Sequence, residues 1–311
     1  MKNALKTVLG IFLLATAAVA PCSAQKVKPA LKLVRGNTYY NVSNITTTIN
    51  QTINNNAVSY NVGMSVTMAN KVLDKKDSVY NLEVSYQHID MKMQMAAGNS
   101  TEYNSDKPGP QDPFSQILGA ILNKPLYVSI STSGKVLSVT GINDVLDAIF
   151  KSVNLSDTSQ VKQLRAQFSQ SFGEKAFKGN LTQTYSIYPT ILVAKGDKWQ
   201  MNSRIESVMT ADVQTVYQLQ DITPTSYLVH GDGKLASVNT ANAQVNGMPV
   251  KYNLAGSIIS DIILDKATGW ITQDTQKENV TGDFEILDNP SVPGGMTIPM
   301  TINVVSVVTD K

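Results

Sequence analysis

The two histidines of the chain are the first candidates for chemistry, because each stands two residues before an aspartate. His88 precedes Asp90, and His230 precedes Asp232. On a strand, residues two apart share a face, so each pair would present an imidazole and a carboxylate together. Such a pair suits metal binding or acid–base catalysis. The other interpretation is that both histidines are ordinary surface residues at a bulge or a turn.

Other catalytic signatures are missing from the sequence. There is no His-Glu-x-x-His motif, no Gly-x-Ser-x-Gly motif and no phosphate-binding loop. Ser159 and Lys162 match the Ser-x-x-Lys pattern of penicillin-recognising enzymes, but the companion Lys-Thr-Gly and Ser-Asp-Asn motifs are absent. We therefore expect a protein that is not an enzyme and holds no metal or cofactor. A hydrolase or metal enzyme using His88 or His230 is the weakest alternative.

Methionine is the residue type that points to binding. Its side chain is flexible and polarisable, and it adapts to varied apolar shapes. On a concave surface, methionines would suit a lipid-like ligand, whereas in a packed core they only fill space. Most of the 11 methionines lie on predicted strands, namely Met64, Met68, Met91, Met93, Met95, Met201, Met209, Met296 and Met300.

Residues 1–24 are typical of a secretory signal peptide. Lys2 and Lys6 precede an apolar run over residues 8–20, which is too short to span a bilayer. No transmembrane segment is expected in the mature chain. The protein is therefore predicted to be exported, to the periplasm or the extracellular space.

Cleavage is expected after Ala24, which removes Cys22, the one cysteine of the chain. Lipidation of Cys22 is the alternative, although Pro21 stands where such signals carry a small residue. Cleavage also removes two lysines, which leaves 24 basic residues against 24 acidic ones. A neutral chain gives no electrostatic reason to expect nucleic acid or an anionic membrane as a partner.

Alternating apolar residues predict antiparallel strands toward both ends of the chain. Residues 58–68 and 296–304 alternate without a break. The run over residues 80–95 changes phase near Gln87 and His88, which predicts a β-bulge there. A long alternation over 199–219 predicts two strands with a turn near Ala211 and Asp212. Further hairpin turns are predicted at Ser133-Gly134, Asp232-Gly233, Asn246-Gly247 and Thr268-Gly269.

The middle of the chain has helical spacing instead. Three helices are predicted, the first after Asp112, the second after Asn143 and the third from Asp157 to Gly173. A hairpin over residues 127–139 separates the first two. The predicted fold is α+β and mostly β, a large curved antiparallel sheet, half-barrel-like, packed against these central helices. We expect residues 25–311 to form a single domain with a helical insertion around 112–178.

Three short motifs carry a resemblance to a known family. They are Gly36-Asn37-Thr38-Tyr39, Gly196-Asp197-Lys198-Trp199 and Asp265-Lys266-Ala267-Thr268-Gly269-Trp270. With these motifs the chain resembles, over nearly its whole mature length, a family of exported bacterial proteins known only as a domain of unknown function. The predicted architecture more loosely resembles the half-barrel of periplasmic lipoprotein carriers and mycobacterial lipid carriers. That second resemblance implies a hydrophobic cavity between the sheet and the helices.

The leading hypothesis is an envelope protein that binds or carries a lipid or another hydrophobic small molecule. A structural or adhesive module with a fully packed core, which contacts another envelope protein or a glycan, is the alternative. The residues predicted to line the cavity are Met64, Met91, Met93, Phe114, Leu118, Ile149, Phe150 and Trp199.

Overall fold

The computed structural model describes residues 25–95, 98, 100–107, 113–152, 158–206, 209–238, 243–245 and 247–311. The predicted signal peptide and Cys22 lie outside this part of the chain. The helices of the described residues are α1 (Pro113–Ile121), α2 (Ile142–Ser152), α3 (Thr158–Phe172) and α4 (Glu174–Tyr185). The strands are β1 (Thr38–Ile53), β2 (Asn56–Lys76), β3 (Val79–Met95), β4 (Ser100–Asn104), β5 (Leu126–Ser131), β6 (Val136–Thr140), β7 (Lys198–Glu206), β8 (Thr210–Ile222), β9 (Ser226–Ser237), β10 (Gln244–Val245), β11 (Met248–Asp265), β12 (Ile271–Ile286) and β13 (Met296–Thr309).

All of these strands belong to one large, open antiparallel sheet. The main path runs β6-β5-β3-β2-β1-β13-β12-β11-β9-β8-β7, with β4 beside β3 and β10 beside β11. The first long strand, β1, pairs with the last, β13, in the middle of the sheet. The two edge strands, β6 and β7, are joined in the chain by the segment that holds α2, α3 and α4. The predicted class, mostly β with a few helices, is confirmed.

Helix α4 contacts both edges of this sheet. The Lys178 ammonium donates a 3.0 Å hydrogen bond to the carbonyl of Leu137 on β6. On the β7 side, Gly179 lies so close that a Cβ atom there would be 3.2 Å from the amide nitrogen of Glu206. Because one helix touches strands at opposite ends of the sheet order, the sheet must curve around the helices.

A β-bulge helps the sheet to bend, at the position that the phase change predicts. Thr67 pairs with His88 and the next residue, Met68, pairs with Tyr86, so Gln87 is the extra residue. Tyr86 and Ile89, on either side of the bulge, are therefore both buried on the concave face.

The predicted turns are confirmed at three of the four glycine dipeptides. Gly134 and Gly269 have φ of +78° and +69° in tight turns, and Val245 pairs with Met248 around Gly247, although Asn246 lies outside the described residues. The prediction at Asp232-Gly233 is wrong, because both residues lie inside β9. The turn predicted near Ala211 and Asp212 lies before Thr210, where β8 begins.

The main core lies between the concave face and the helices. Phe150 of α2 packs edge-on against Phe168 of α3 at 6.1 Å, and Tyr86 of β3 packs edge-on against Phe177 of α4 at 5.9 Å. A second, smaller apolar cluster lies farther along the strands and consists of Ala211, Val213, Leu235, Leu254, Ile258 and Val280.

The N-terminal segment covers one end of the molecule. Val27 forms an antiparallel bridge with Val193, and the amides of Leu31 and Lys32 donate to the carbonyls of Thr132 and Thr268 at 2.8 and 2.7 Å. Leu31 is fully buried by these contacts. The segment therefore joins three loops at the same end of the sheet.

Candidate ligand cavity

A cavity of about 640 Å³ lies between the concave face of the sheet and helices α3 and α4. It is lined by Ser43, Ile45, Val62, Met64, Val66, Met68, Tyr86, Ile89, Met91, Phe168, Phe172, Phe177, Asn180, Leu181, Gln183, Thr184, Ile187, Ile205, Tyr217, Ser260, Ile262, Asp274, Gln276, Glu278, Ser306 and Val308. Its volume is in the usual range for small-molecule sites. The lining is apolar on one side and polar on the other.

The apolar wall is built from β2 and β3 by strict alternation. Met64 pairs with Met91, and Val66 pairs with Ile89, so the four side chains lie together on the concave face. Phe168 and Phe172 of α3, stacked at 5.3 Å, face the same space from the helical side. The wall thus combines adaptable methionines with rigid aromatic rings.

Helix α4 contributes more to the cavity than any element that the sequence analysis named, and it was not predicted. Phe177 and Leu181 line the cavity, and Tyr185 lies buried one turn further on. The four-residue spacing of these three residues is the signal that would have located the helix. Gly173, which ends α3, and Gly179 within α4 obscured that signal.

The polar wall is built mainly by β12. Three successive inward positions of this strand are Asp274, Gln276 and Glu278, and all three line the cavity. Burial, together with the charge of Asp261, raises the pKa of Asp274 to about 7. Burial also raises the pKa of Glu278. Both carboxyl groups are therefore in an environment that disfavours their charged form.

The outward positions of β12 explain why this wall was missed. Thr275, Lys277 and Asn279 alternate with the inward residues, so both faces of the strand are polar. A period of two then gives no indication of which face is inside. Only the pairing of Asp274 with Ile262, which is buried, assigns the faces.

Two of the residues predicted to line the cavity do so, namely Met64 and Met91. Met93 lies on the same face of β3, two residues beyond the lining, where the strand becomes exposed. Leu118, Ile149 and Phe150 are buried in the packing of α1 and α2 and do not reach the cavity. The side chain of Phe114 lies outside the described part of the structure.

Trp199 does not line the cavity and has a structural role instead. Its indole N–H donates a 2.9 Å hydrogen bond to the carbonyl of Ile187, and its ring packs on Tyr217 at 5.9 Å. Tyr217 in turn lines the cavity. The tryptophan therefore supports the wall from the position beside Tyr217 on the neighbouring strand β7.

The two His-x-Asp pairs are not brought together by the fold. His88 lies on β3 and has Asp106 2.9 Å from its Nδ1, whereas His230 lies on β9, six strands away from β3 in the sheet order. The Nδ1 atom of His230 is 2.7 Å from Asp261, and its Nε2 atom is 3.7 Å from Asp232. Among the described residues, no group of three or more histidine, cysteine or acidic side chains is placed to hold a metal ion. None of the described helices is long and apolar enough to cross a membrane.

The fold defines a mostly β protein with an amphipathic cavity between its curved sheet and helices α3 and α4. The chain belongs to a family of unknown function, DUF6263, whose family model matches residues 77–271. The match includes two of the three motifs that suggested the resemblance. It begins after the Gly36 motif, so it covers less of the chain than the sequence analysis expected. None of the curated proteins compared matches the sequence.

Comparison with solved structures gives distant likenesses to outer-membrane channels. The COG4313 outer membrane channel from Pseudomonas putida F1 is 6% identical with a TM-score of 0.24, over 90% of this chain and 97% of that chain. OccK5 (OpdH) from Pseudomonas aeruginosa is 8% identical with a TM-score of 0.20, over 89% of this chain and 99% of that chain. Likenesses of this size carry no argument about this protein.

Proposed function

We propose that this protein is a non-enzymatic component of the cell envelope that binds or carries a lipid-like hydrophobic molecule in the cavity between its sheet and helices. The observation that carries the proposal is the cavity itself. Free space of about 640 Å³ between the sheet and helices α3 and α4 favours a binding role over a module whose sheet and helices are fully packed together.

The apolar wall supplies the affinity in this proposal. Transfer of a ligand from water to the surface formed by Met64, Met91 and Phe168 is favourable by about 25 cal/mol per Å² of apolar area buried. The loss of ligand freedom on binding opposes this gain. A flexible chain is accommodated because methionine side chains adjust to its shape.

Export is part of the same proposal and rests on residues 1–24. We propose cleavage after Ala24 and a mature protein in the periplasm or outside the cell, with lipidation at Cys22 as the alternative. An intact mass of the protein purified from the envelope separates the two, because one product begins at Gln25 and the other at an acylated Cys22. A mass that retains residues 1–24 would contradict both.

The binding proposal is tested on protein purified without detergent. Native mass spectrometry and organic extraction are expected to reveal copurified lipid, and delipidated protein is expected to bind N-phenyl-1-naphthylamine with a rise in fluorescence. A clean apo mass together with no probe binding would overturn the proposal and favour an interaction module.

A matched pair of variants ties the binding to the cavity. Met91→Trp places a larger side chain in the cavity, whereas Met248→Trp makes the same change at a half-buried position outside the lining. If the ligand loses about 55 Å² of apolar contact, its affinity falls by about 1.4 kcal/mol, or tenfold. We expect this loss in the Met91 variant alone, and equal binding by both variants would place the probe elsewhere.

A further inference from the structure

The lining of the cavity has a charge sign. Among the described residues that line it there are two acidic side chains, Asp274 and Glu278, and there is no lysine, arginine or histidine. Both acids come from the same strand and the same face. An anionic head group would meet like charges here, with no cation to offset them.

Two buried oxygen atoms on opposite sides of the cavity lack hydrogen-bond donors. Oδ1 of Asp274, on β12, and Oε1 of Gln183, on α4, are both shielded from solvent and have no partner among the described residues. Both residues line the cavity. A buried acceptor without a donor costs free energy, so a molecule that fills this space gains by supplying N–H or O–H groups.

We propose that the ligand is an amphipathic amine, whose protonated amino group lies against Asp274, with Glu278 adding negative charge farther along β12, while its apolar chain lies along the methionine wall. The inference deepens the proposed function and rests on it. An ammonium group provides three donors and one positive charge, which matches the orphan acceptor of Asp274 and the acidic side of the cavity.

The register of the sheet gives the ligand its direction. Paired positions on five neighbouring strands form one row across the cavity. In the order β12, β13, β1, β2 and β3, the row consists of Gln276, Ser306, Ile45, Met64 and Met91. Four strand spacings of about 4.8 Å separate the first from the last, a path of roughly 19 Å along the sheet. Along this path the lining changes from polar to apolar, so a molecule with one polar end fits in one orientation.

Protonation supports the assignment. The titratable groups that line the cavity with Asp274 are Glu278 on its own strand and Tyr217 from β8. Asp261 adds its charge from β11, and the lining residues of β13 and α4 are neutral. With a pKa of about 7, Asp274 gains its negative charge only as the pH rises through neutrality. An ammonium ligand, which is charged throughout, is therefore expected to bind more tightly at pH 8 than at pH 5.5.

The test compares three ligands with the same chain and different heads. Dodecylamine, dodecanol and dodecanoate, each below its aggregation limit, compete with N-phenyl-1-naphthylamine for the delipidated full-length mature protein. At pH 8 we expect dodecylamine to bind roughly tenfold more tightly than dodecanol, the difference expected for a charged hydrogen bond, and dodecanoate to bind most weakly. The preference for the amine is expected to fall toward equality at pH 5.5.

Variants assign the preference to the polar wall. Asp274→Asn is expected to remove it and Glu278→Gln to weaken it, whereas Asp283→Asn, a loss of charge on the outward face of β12, is expected to keep it. Equal binding of amine and alcohol, tightest binding of dodecanoate, or an unchanged preference in Asp274→Asn would each overturn this inference while binding in the cavity stands. If neither the probe nor any of the three ligands binds, the proposed function fails as well.

Discussion

The hydroxyl of Tyr185 donates a 3.1 Å hydrogen bond to Oδ1 of Asn41, although 144 positions separate the two residues along the chain. The same Asn41 oxygen accepts a bond of 3.0 Å from Asn70. The hydrogen bond between Tyr185 and Asn41 connects the end of α4 to β1, in the middle of the sheet. This contact holds the helix over the cavity.

Tyr185→Phe is expected to lower the free energy of unfolding by about 1 kcal/mol, the usual value of one hydrogen bond whose acceptor keeps another donor. Burial raises the pKa of Tyr185, so its hydroxyl stays a donor at all physiological pH values. Urea denaturation measures the loss. Tyr127→Phe, at an exposed position on β5, is the control and is expected to be neutral. Equal stability of the two variants would show that the bond contributes nothing.

Gly269→Ala is expected to destabilise the protein more than Gly36→Ala does. Both glycines have positive φ, at +69° and +85°, so each variant bears a backbone cost of about 1 kcal/mol. A Cβ at Gly269 would also lie 2.0 Å from the carbonyl oxygen of Ala30, whereas a Cβ at Gly36 meets nothing within 4 Å.

The difference between these two variants isolates the clash with the N-terminal segment. Denaturation midpoints measure it, and limited proteolysis is expected to cut the segment near Ala30 faster in the Gly269 variant. If both variants lose the same stability, the close approach of the N-terminal segment is not tight in solution.

Gly231→Ala is expected to disturb the cavity wall. A Cβ at this position in β9 would lie 2.5 Å from Oγ of Ser260 and 2.7 Å from the ring of Tyr217, both of which line the cavity. Overpacking of this kind costs about 1–3 kcal/mol. Gly63→Ala in β2 meets nothing within 4 Å and is the control, expected to be neutral or slightly stabilising. Thermal unfolding of the two variants measures the difference in their stability. A smaller loss of stability in Gly231→Ala than in Gly63→Ala would contradict the prediction.

The stability of the ligand-free protein is expected to fall as the pH rises from about 4 to about 7. Asp274 has a pKa of about 7 in the folded state and near its ordinary value when unfolded, so the folded state binds more protons in this window. The free energy of unfolding then decreases with pH, and Glu278, whose pKa is also raised, acts in the same direction.

Asp274→Asn removes the larger part of this slope. The variant is expected to be more stable than the natural protein at pH 8 and to differ little from it at pH 4. Urea midpoints at several pH values measure both effects, with Asp283→Asn as the control for loss of one negative charge. A parallel pH profile for the natural protein and Asp274→Asn would show that Asp274 is not in a desolvated site.

Local pattern was sufficient for most of the strands and for three of the helices. The alternation in residues 58–68 and the phase change at Gln87 located β2 and the bulge of β3, because a strand with one buried face has a clear period. The glycines at 134 and 269 marked their turns because those turns need positive φ. Asp232-Gly233 misled the prediction, since the glycines of β9 make room for side chains of neighbouring strands instead of forming a turn.

The candidate site was only partly predictable. Met64 and Met91 were identified because they belong to strands with one apolar face. Phe177 and Leu181 were missed with their helix, because the glycines at 173 and 179 hid its period. Leu118 and Phe150 are large apolar residues, as expected of a cavity lining, but they lie in the packed core. The sequence does not distinguish a side chain that lines a cavity from one that is packed in the core.

The sequence by itself determined that the chain is mostly β, where most of its strands and three of its helices lie, and that its middle is helical, because these depend on the period of apolar residues along short segments. The tertiary structure alone decided that Asp274 and Glu278 face inward, since β12 is polar on both faces and only its pairing with β11 and β13 selects one. It also decided that α4 spans the two sheet edges, because contacts with Leu137 and Glu206 join positions far apart in the chain. A cavity is a property of how such distant surfaces meet, and no local pattern records it.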